Sequence, residues 1–247
     1  MMVDKPIYTG WKRDPIDTRD HLFLAAPMAL PSSVDLSPLC SPVENQQSLG
    51  SCTGNAIAGA LEYLENKAKA RFLDLSRLFV YYNERVIEGT ISEDAGAIIR
   101  DGIKTLVTNG VCSEKAWPYN IKNFTKKPTA VAYKQALKRK IASYESVTQT
   151  ETSIKTALAS GYPIIFGFNV FADIESAEVA RTGNLPMPAG KSIGGHAVLM
   201  VGYDDATSRF LVRNSWGANW GKNGYMTMPY AYVTDNQYCD DFWVVQQ

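Results

Sequence analysis

The character of the chain changes at Pro163, and that change limits the fold more than any other feature. Before it, apolar residues recur at helical spacing. From Cys52 to about Ala70, the residues Ala56, Ile57, Ala60, Leu61, Leu64 and Ala68 share one face. "SRLFVYYNERVIEG" opens on a serine N-cap, Ser76, and stops at Gly89. "AIIRDGIKTLVTNG" turns Ile99, Ile103, Leu106 and Val107 inward and ends at Gly110, while "TAVAYKQALKRK" and "TETSIKTALASG" read as two further helices. After Pro163 come short runs rich in β-branched and aromatic residues: "IIFGFNV", "HAVLMVGYD", "RFLVRNSW", "GYMTMP" and "DFWVVQ". Asp204 and Asp205 supply a turn between two of them. A helical front and a β back predict an α+β fold, or two lobes with a cleft between them.

Composition removes several function classes. The 247 residues are 45% hydrophobic, enough for a sizeable core. The 25 basic and 25 acidic residues cancel, and no basic stripe points to nucleic acid, so no nucleic-acid partner is expected. No apolar run approaches the ~20 residues of a membrane span, so no membrane partner is expected. Cys40, Cys52, Cys112 and Cys239 form no C-x-x-C pair, and with two histidines in the chain no metal site and no cofactor are expected. The N-terminus lacks the apolar segment of a secretory signal, and localisation stays open. Residues 1–30 read as an extension punctuated by Pro6, Pro15 and Pro27, with Pro31 just beyond; "HLFLAAPMAL" is apolar enough to pack on something.

The chemistry concentrates in "ENQQSLGSCTGNA". Cys52 stands at the mouth of a helix, where unpaired N–H groups and partial positive charge favour a thiolate. Gly50 and Ser51 keep its approach open. A nucleophilic cysteine needs a base, and the base needs an orienting partner. His21 lies in the extension; His196 starts a predicted strand behind two glycines, with room around it. Asn214, in "RNSWG", is the best orienter, and Trp216 could shield its bond to His196 from water. Gln46 can present a side-chain N–H to an oxyanion beside the backbone N–H of Cys52. The ordinary alternative for the other three cysteines is a buried thiol, or pairing between two of them.

"PVENQQSLGSC", "GGHAVLMVGYD" and "VRNSWGANWGKNGY", in this order, resemble the three signature blocks of the papain-like cysteine peptidases, with a style like the bacterial branch. The resemblance runs from about Leu30 to Gln247. It implies a papain-like α+β fold: a helical N-terminal lobe, about 41–130, and an antiparallel β-barrel-like C-terminal lobe, about 131–247, with the active site in the cleft. It implies Cys52 as nucleophile, His196 as base and Asn214 as orienter. Gln46 and Cys52 then form the oxyanion hole, and Gly96, Gly195 and Trp216 lie along the substrate. Two departures stand out. The family's disulfide cysteine three residues before the nucleophile is Leu49 here, and the aromatic residue after the nucleophile is Thr53.

The expected activity is hydrolysis of protein or peptide substrates through an acyl-enzyme by a monomer. The alternatives are acyl transfer to an amine by a ligase on the same site, or a papain-fold binding protein without activity. Loosely aligned, Asp240 could reach the floor of an apolar pocket beside Gly195 and admit Arg; otherwise it is a solvated loop acid. Residues 1–30 carry Trp11, Leu22, Phe23 and Leu24, which cost free energy if left in water. The segment is therefore expected to dock over the cleft as a short pro-segment, the mark of a zymogen.

Overall fold

The computed structural model describes residues 10–26, 28–69 and 72–247. In chain order the elements are β1 (Trp11–Lys12), β2 (Ser33–Asp35), α1 (Cys52–Lys69), α2 (Arg77–Glu88), β3 (Ala97–Ile98), α3 (Ile99–Thr108), α4 (Ala130–Ala136), β4 (Ser143–Ser146), α5 (Glu151–Ala159), β5 (Ile164–Phe171), α6 (Ala177–Thr182), β6 (Ser192–Asp204), β7 (Arg209–Arg213), β8 (Tyr225–Pro229), α7 (Tyr230–Val233) and β9 (Cys239–Gln246). Pro6, Pro27 and Ala70 lie outside the described residues.

Local chemistry sets the helix limits. Ser76 caps α2 by accepting the Phe79 amide, and Gly89 ends it in the left-handed conformation at φ 71°. Thr129 and Thr150 cap α4 and α5 through the same kind of bond. Helix α1 departs from the one-faced pattern: it is buried on all sides from Cys52 to Glu65, because α2, α3 and the sheet all pack on it. Its small residues permit this. A Cβ on Gly54 would fall 2.7 Å from the Arg77 carbonyl oxygen. At the far end Ala68 is exposed, not inward. Val107 likewise lies 38% exposed, one position past the buried Ile99–Ile103–Leu106 stripe of α3.

The main sheet runs β4-β9-β5-β6-β7-β8, with β2 paired to the outer part of β6, and its pairings are antiparallel. The barrel-like lobe expected from the resemblance is corrected here: the sheet is open. Each outer edge is already occupied. Along β4, the Phe23 amide donates to the Ser146 carbonyl and the Ser146 amide to the His21 carbonyl, both at 2.8 Å. Along β8, the Leu185 amide donates to the Thr227 carbonyl at 3.0 Å. With both edges paired to loop segments, no unsatisfied backbone draws them together.

The alternation of β5 and β6 divides the core in two. Ile165, Ala197, Leu199 and Val201 face α1 and α3; Phe166, Phe168, Val198 and Met200 face a second core closed by α5. On the helical side the pattern ends in two glycines, Gly167 and Gly195. No side chain fills that corner from the sheet, and Trp11 fills it instead. Of the extension's large apolar residues, Trp11 is buried and Phe23 packs edge-on against Tyr162 at 5.5 Å. Leu22 and Leu24 stay in water at 56% and 87% exposure, contrary to the expectation that the apolar groups pack. Among the described residues, no helix is long and apolar enough to cross a membrane.

Candidate active site

Cys52 is the first residue of α1, and the loop before it is fixed from three sides. The Gly50 amide donates to both carboxylate oxygens of Asp94 at 3.0 Å, and Asp94 also accepts the Tyr81 hydroxyl at 2.5 Å. Tyr119 donates its hydroxyl to the Gln46 carbonyl at 2.8 Å and lies 2.5 Å from the Ser51 hydroxyl. Leu49 packs with Leu78, Tyr81 and Ala97, so apolar contact stands where the family's disulfide would be. All four cysteines are unbridged. Thr53, in place of an aromatic residue, donates its hydroxyl to Glu84 at 2.5 Å. Burial pushes the Glu84 carboxyl up to about 8.

His196 lies on β6, and Asn214 directly follows β7, which pairs with β6. Their bond, between His196 Nε2 and Asn214 Oδ1, is 2.8 Å and buried. Trp216 stacks on the imidazole, with centroids 4.7 Å apart and planes 25° apart, and thereby covers the pair. Asn214 can only accept through Oδ1, so Nε2 carries the proton and Nδ1 of a neutral ring is left as the basic nitrogen. That Nδ1 is buried and hydrogen-bonded to nothing. The amide of Ala197, the next residue in the strand, faces the Cys52 sulfur and favours its thiolate. Gln46 Nε2 donates to the Leu49 carbonyl at 3.0 Å, and its Oε1 accepts from Ser215 at 2.6 Å. His21 is exposed and paired through its backbone to Ser146 at the β4 edge. Among the described residues, no cluster of His, Cys, Asp or Glu could hold a metal ion.

The N-terminal segment crosses directly over the cysteine. A Cβ on Gly10 would fall 2.6 Å from Cys52 Sγ and 2.7 Å from the Gly50 carbonyl oxygen. The Gly10 carbonyl accepts the Ala97 amide at 2.9 Å, beside Gly96, and β1 pairs in parallel with β3. A Cβ on Gly195 would meet the Trp11 carbonyl oxygen at 2.8 Å, and one on Gly167 would collide with the Trp11 ring. Under this cover Cys52 and His196 are both at 0% exposure. Burial pushes the thiol up to about 12 and holds the imidazole down to about 4, the latter partly offset by the Asn214 bond. Thiol and imidazole are therefore both neutral while the segment is in place.

Of the two readings of Asp240, pocket acid or solvated acid, the structure favours the second. Asp240 pairs with Arg13 at 3.2 Å at a site 43% exposed. Its neighbour Asp241 is the carboxylate that meets the N-terminal segment, accepting the Trp11 indole N–H at 2.8 Å. Asp241 adopts φ 59°, and this left-handed residue breaks the strand alternation that would have placed it. Trp11, Gly167 and Asp241 were absent from the sequence-derived site. They meet across more than half the chain, and only the break in alternation at Gly167 hinted at a slot.

A family model described as Papain family cysteine protease matches residues 30–240. Xylellain, a cysteine protease from Xylella fastidiosa, superposes with a TM-score of 0.90 at 41% identity, covering 97% of this chain and 96% of that one. An uncharacterized peptidase C1-like protein of Acanthamoeba polyphaga mimivirus is 46% identical over 214 residues, 82% of this chain and 69% of the relative. Chymopapain of Carica papaya is 29% identical over 203 residues, which are 80% of this chain and 54% of chymopapain. The chain thus spans about half the length of that plant relative.

Proposed function

The chain belongs to the papain family of cysteine proteases, and from that premise we propose that it cleaves peptide bonds as an endopeptidase through an acyl-enzyme on Cys52. The observation that carries this is the shielded 2.8 Å His196–Asn214 bond, which leaves one basic ring nitrogen on the strand that faces the cysteine. Once substrate displaces the cover, the Cys52 thiol passes its proton to His196 Nδ1, and the thiolate attacks the scissile carbonyl. The oxyanion is held by the Cys52 amide and by the Gln46 N–H that Leu49 does not use. His196 gives its Nδ1 proton to the leaving amine, then takes one from the water that frees the product. Asn214 and Trp216 hold the ring through both transfers.

Two finer assignments belong to the same reading. Residues 10–14 act as a pro-segment: Gly10 lies against the nucleophile and Trp11 takes the pocket a substrate side chain would enter. That pocket is walled by Gly167 and Gly195 and ends at Asp241, so it suits a side chain with an apolar body and a donor at its tip. Substrates are unfolded protein segments or peptides able to displace the cover.

The test is labelling of the full chain with an epoxide directed at reactive cysteines, followed by peptide mapping, in parallel with cleavage of small fluorogenic peptides. The label is expected on Cys52 alone, and Cys52→Ala should lose both label and cleavage. Labelling of Cys40, Cys112 or Cys239 in place of Cys52, or cleavage retained by Cys52→Ala, rejects the assignment.

A further inference from the structure

We propose that Asp14 and Asp241 form a pH-operated latch, holding residues 10–14 over the site in acid and releasing them as the pH rises through neutrality. This rests on the reading of those residues as a cover. Asp14 belongs to the cover and Asp241 to the body of the fold. The two are brought together by donors that carry no charge. The Trp11 indole N–H and the Asp14 amide both donate to Asp241 Oδ2, at 2.8 and 2.9 Å. The Asp14 carboxyl in turn accepts the Trp243 indole N–H at 2.8 Å and the Arg100 amide at 3.2 Å. Closing the cover therefore places a second carboxyl beside the first.

The surroundings do not neutralise both. The cleft here holds about 470 Å³ and brings Asp14, Asp17, Asp20, Asp240 and Asp241 around Arg100. The Arg100 guanidinium, on α3, is committed to Asp20 at 2.5 Å and to the Pro15 carbonyl. Arg13, on the cover, is committed to Asp240, and Asp17 is paired with the exposed Arg19. Lys12 turns away to Glu88 on α2 at 3.0 Å. From the β4–α5 side come Ser146, Val147 and Gln149, which bring no charge. Five aspartates thus face three arginines, each already paired with Asp17, Asp20 or Asp240, and Asp14 and Asp241 are left without a cation of their own. Taking up a proton is the remaining way to relieve the pair.

The direction follows from the same contacts. Burial first, and the facing Asp241 charge second, push the Asp14 carboxyl up to about 7; burial pushes Asp241 up to about 6. With the cover undocked, a carboxyl returns toward its ordinary value near ~4. Both values are raised on docking, so docking takes up protons. Its contribution is complete below the ordinary carboxylate range and is lost as the pH climbs through about 6 and then about 7.

The experiment uses the full chain throughout. Alkylation of Cys52 by iodoacetamide, followed by peptide mass mapping, is timed from about pH 5 to about pH 8, the window that brackets the ordinary and raised carboxyl values. Rates are taken for the native chain and for Trp11→Ala, which removes the anchor from the pocket. Dividing the Trp11→Ala rate by the native rate cancels the intrinsic titration of the thiol. This ratio is expected to exceed one in acid and to fall by about tenfold or more across the window, since a tenfold gain in one carboxyl's proton affinity on docking is about tenfold in the docking constant. Asp14→Asn and Asp241→Asn keep an acceptor oxygen but cannot ionise, and each should flatten the fall. Asp14 lies on the cover, so its variant does not depend on refolding of the body. A ratio above one that does not change with pH, or a fall that survives in both asparagine variants, overturns the latch and leaves the cover intact. A ratio of one at every pH overturns the cover itself, and the latch with it.

Discussion

Gln46 Nε2 carries two N–H bonds, and the Leu49 carbonyl uses one of them, so a single donor is left for an oxyanion. Ser215 fixes the amide from its other end. Gln46→Ala should therefore lower turnover by ~10²–10³ on a small peptide substrate, with a much smaller change in KM. Unchanged turnover would mean that the free N–H does not meet the substrate. At the same scale, Asp241 and Asp240 divide two roles that adjacent aspartates left unseparated in the sequence. Asp241→Asn should reduce cleavage of peptides with Arg in the pocket position by roughly tenfold relative to Leu, about one charge-assisted hydrogen bond. Asp240→Asn should leave that preference alone. A positional-scanning library in which both variants keep the same Arg-to-Leu ratio as the native chain would sink the pocket assignment. Cys52, His196, Asn214 and Gln46 were legible in the sequence because each sits in a short run whose neighbours carry its chemistry. Asp241 was not, because its place depends on one left-handed backbone angle.

The elements that position the site differ in how they announce themselves. Helix α2 was readable from its caps, and β5 through β9 from their composition. The two-residue strands β1 and β3 carry no local signal, since their pairing joins residues from opposite sides of α1 and α2. Nor does sequence show that loop segments occupy both edges of the main sheet; the barrel-like lobe came from the family resemblance, and the sheet is open. The β1 element rests on an absent side chain. At Gly10 a Cβ would collide with Cys52 Sγ and with the Gly50 carbonyl, and the second contact is backbone that cannot swing aside. Gly10→Ala should lift the cover from the cysteine without touching the catalytic groups. Alkylation of Cys52 at about pH 6, near the lower of the raised carboxyl values, is expected to be at least about tenfold faster than in the native chain. An equal rate would show that the cover can shift sideways and still exclude the reagent.

Across the whole molecule, burial sets the ionisation state of Cys52 and His196, and residues 10–14 complete that burial. Cys52 sits at a helix N-terminus beside the Ala197 amide, and both favour a thiolate, yet burial under residues 10–14 outweighs them and pushes the thiol up to about 12. Burial likewise holds His196 down to about 4. Both shifts come chiefly from excluded water, so both should reverse together when the cover leaves. The thiol value then falls and the imidazole value rises. Once the two cross, the proton moves from sulfur to nitrogen and the pair becomes thiolate and imidazolium. A chain beginning at Leu30 tests this, with Trp11→Ala as the companion that keeps the Phe23 and His21 pairing along β4. In either form, thiolate absorbance at about pH 5, where the carboxyl pair holds the native cover in place, should exceed that of the native chain. Cys52→Ala should abolish that signal. The bimolecular rate with a small alkylating agent should lose its steep rise above about pH 8, the range in which an unassisted thiol ionises. If both opened forms keep a thiol that ionises only above that range, excluded water is not what keeps the pair neutral, and the helix end and the Ala197 amide are too weak to make the nucleophile alone.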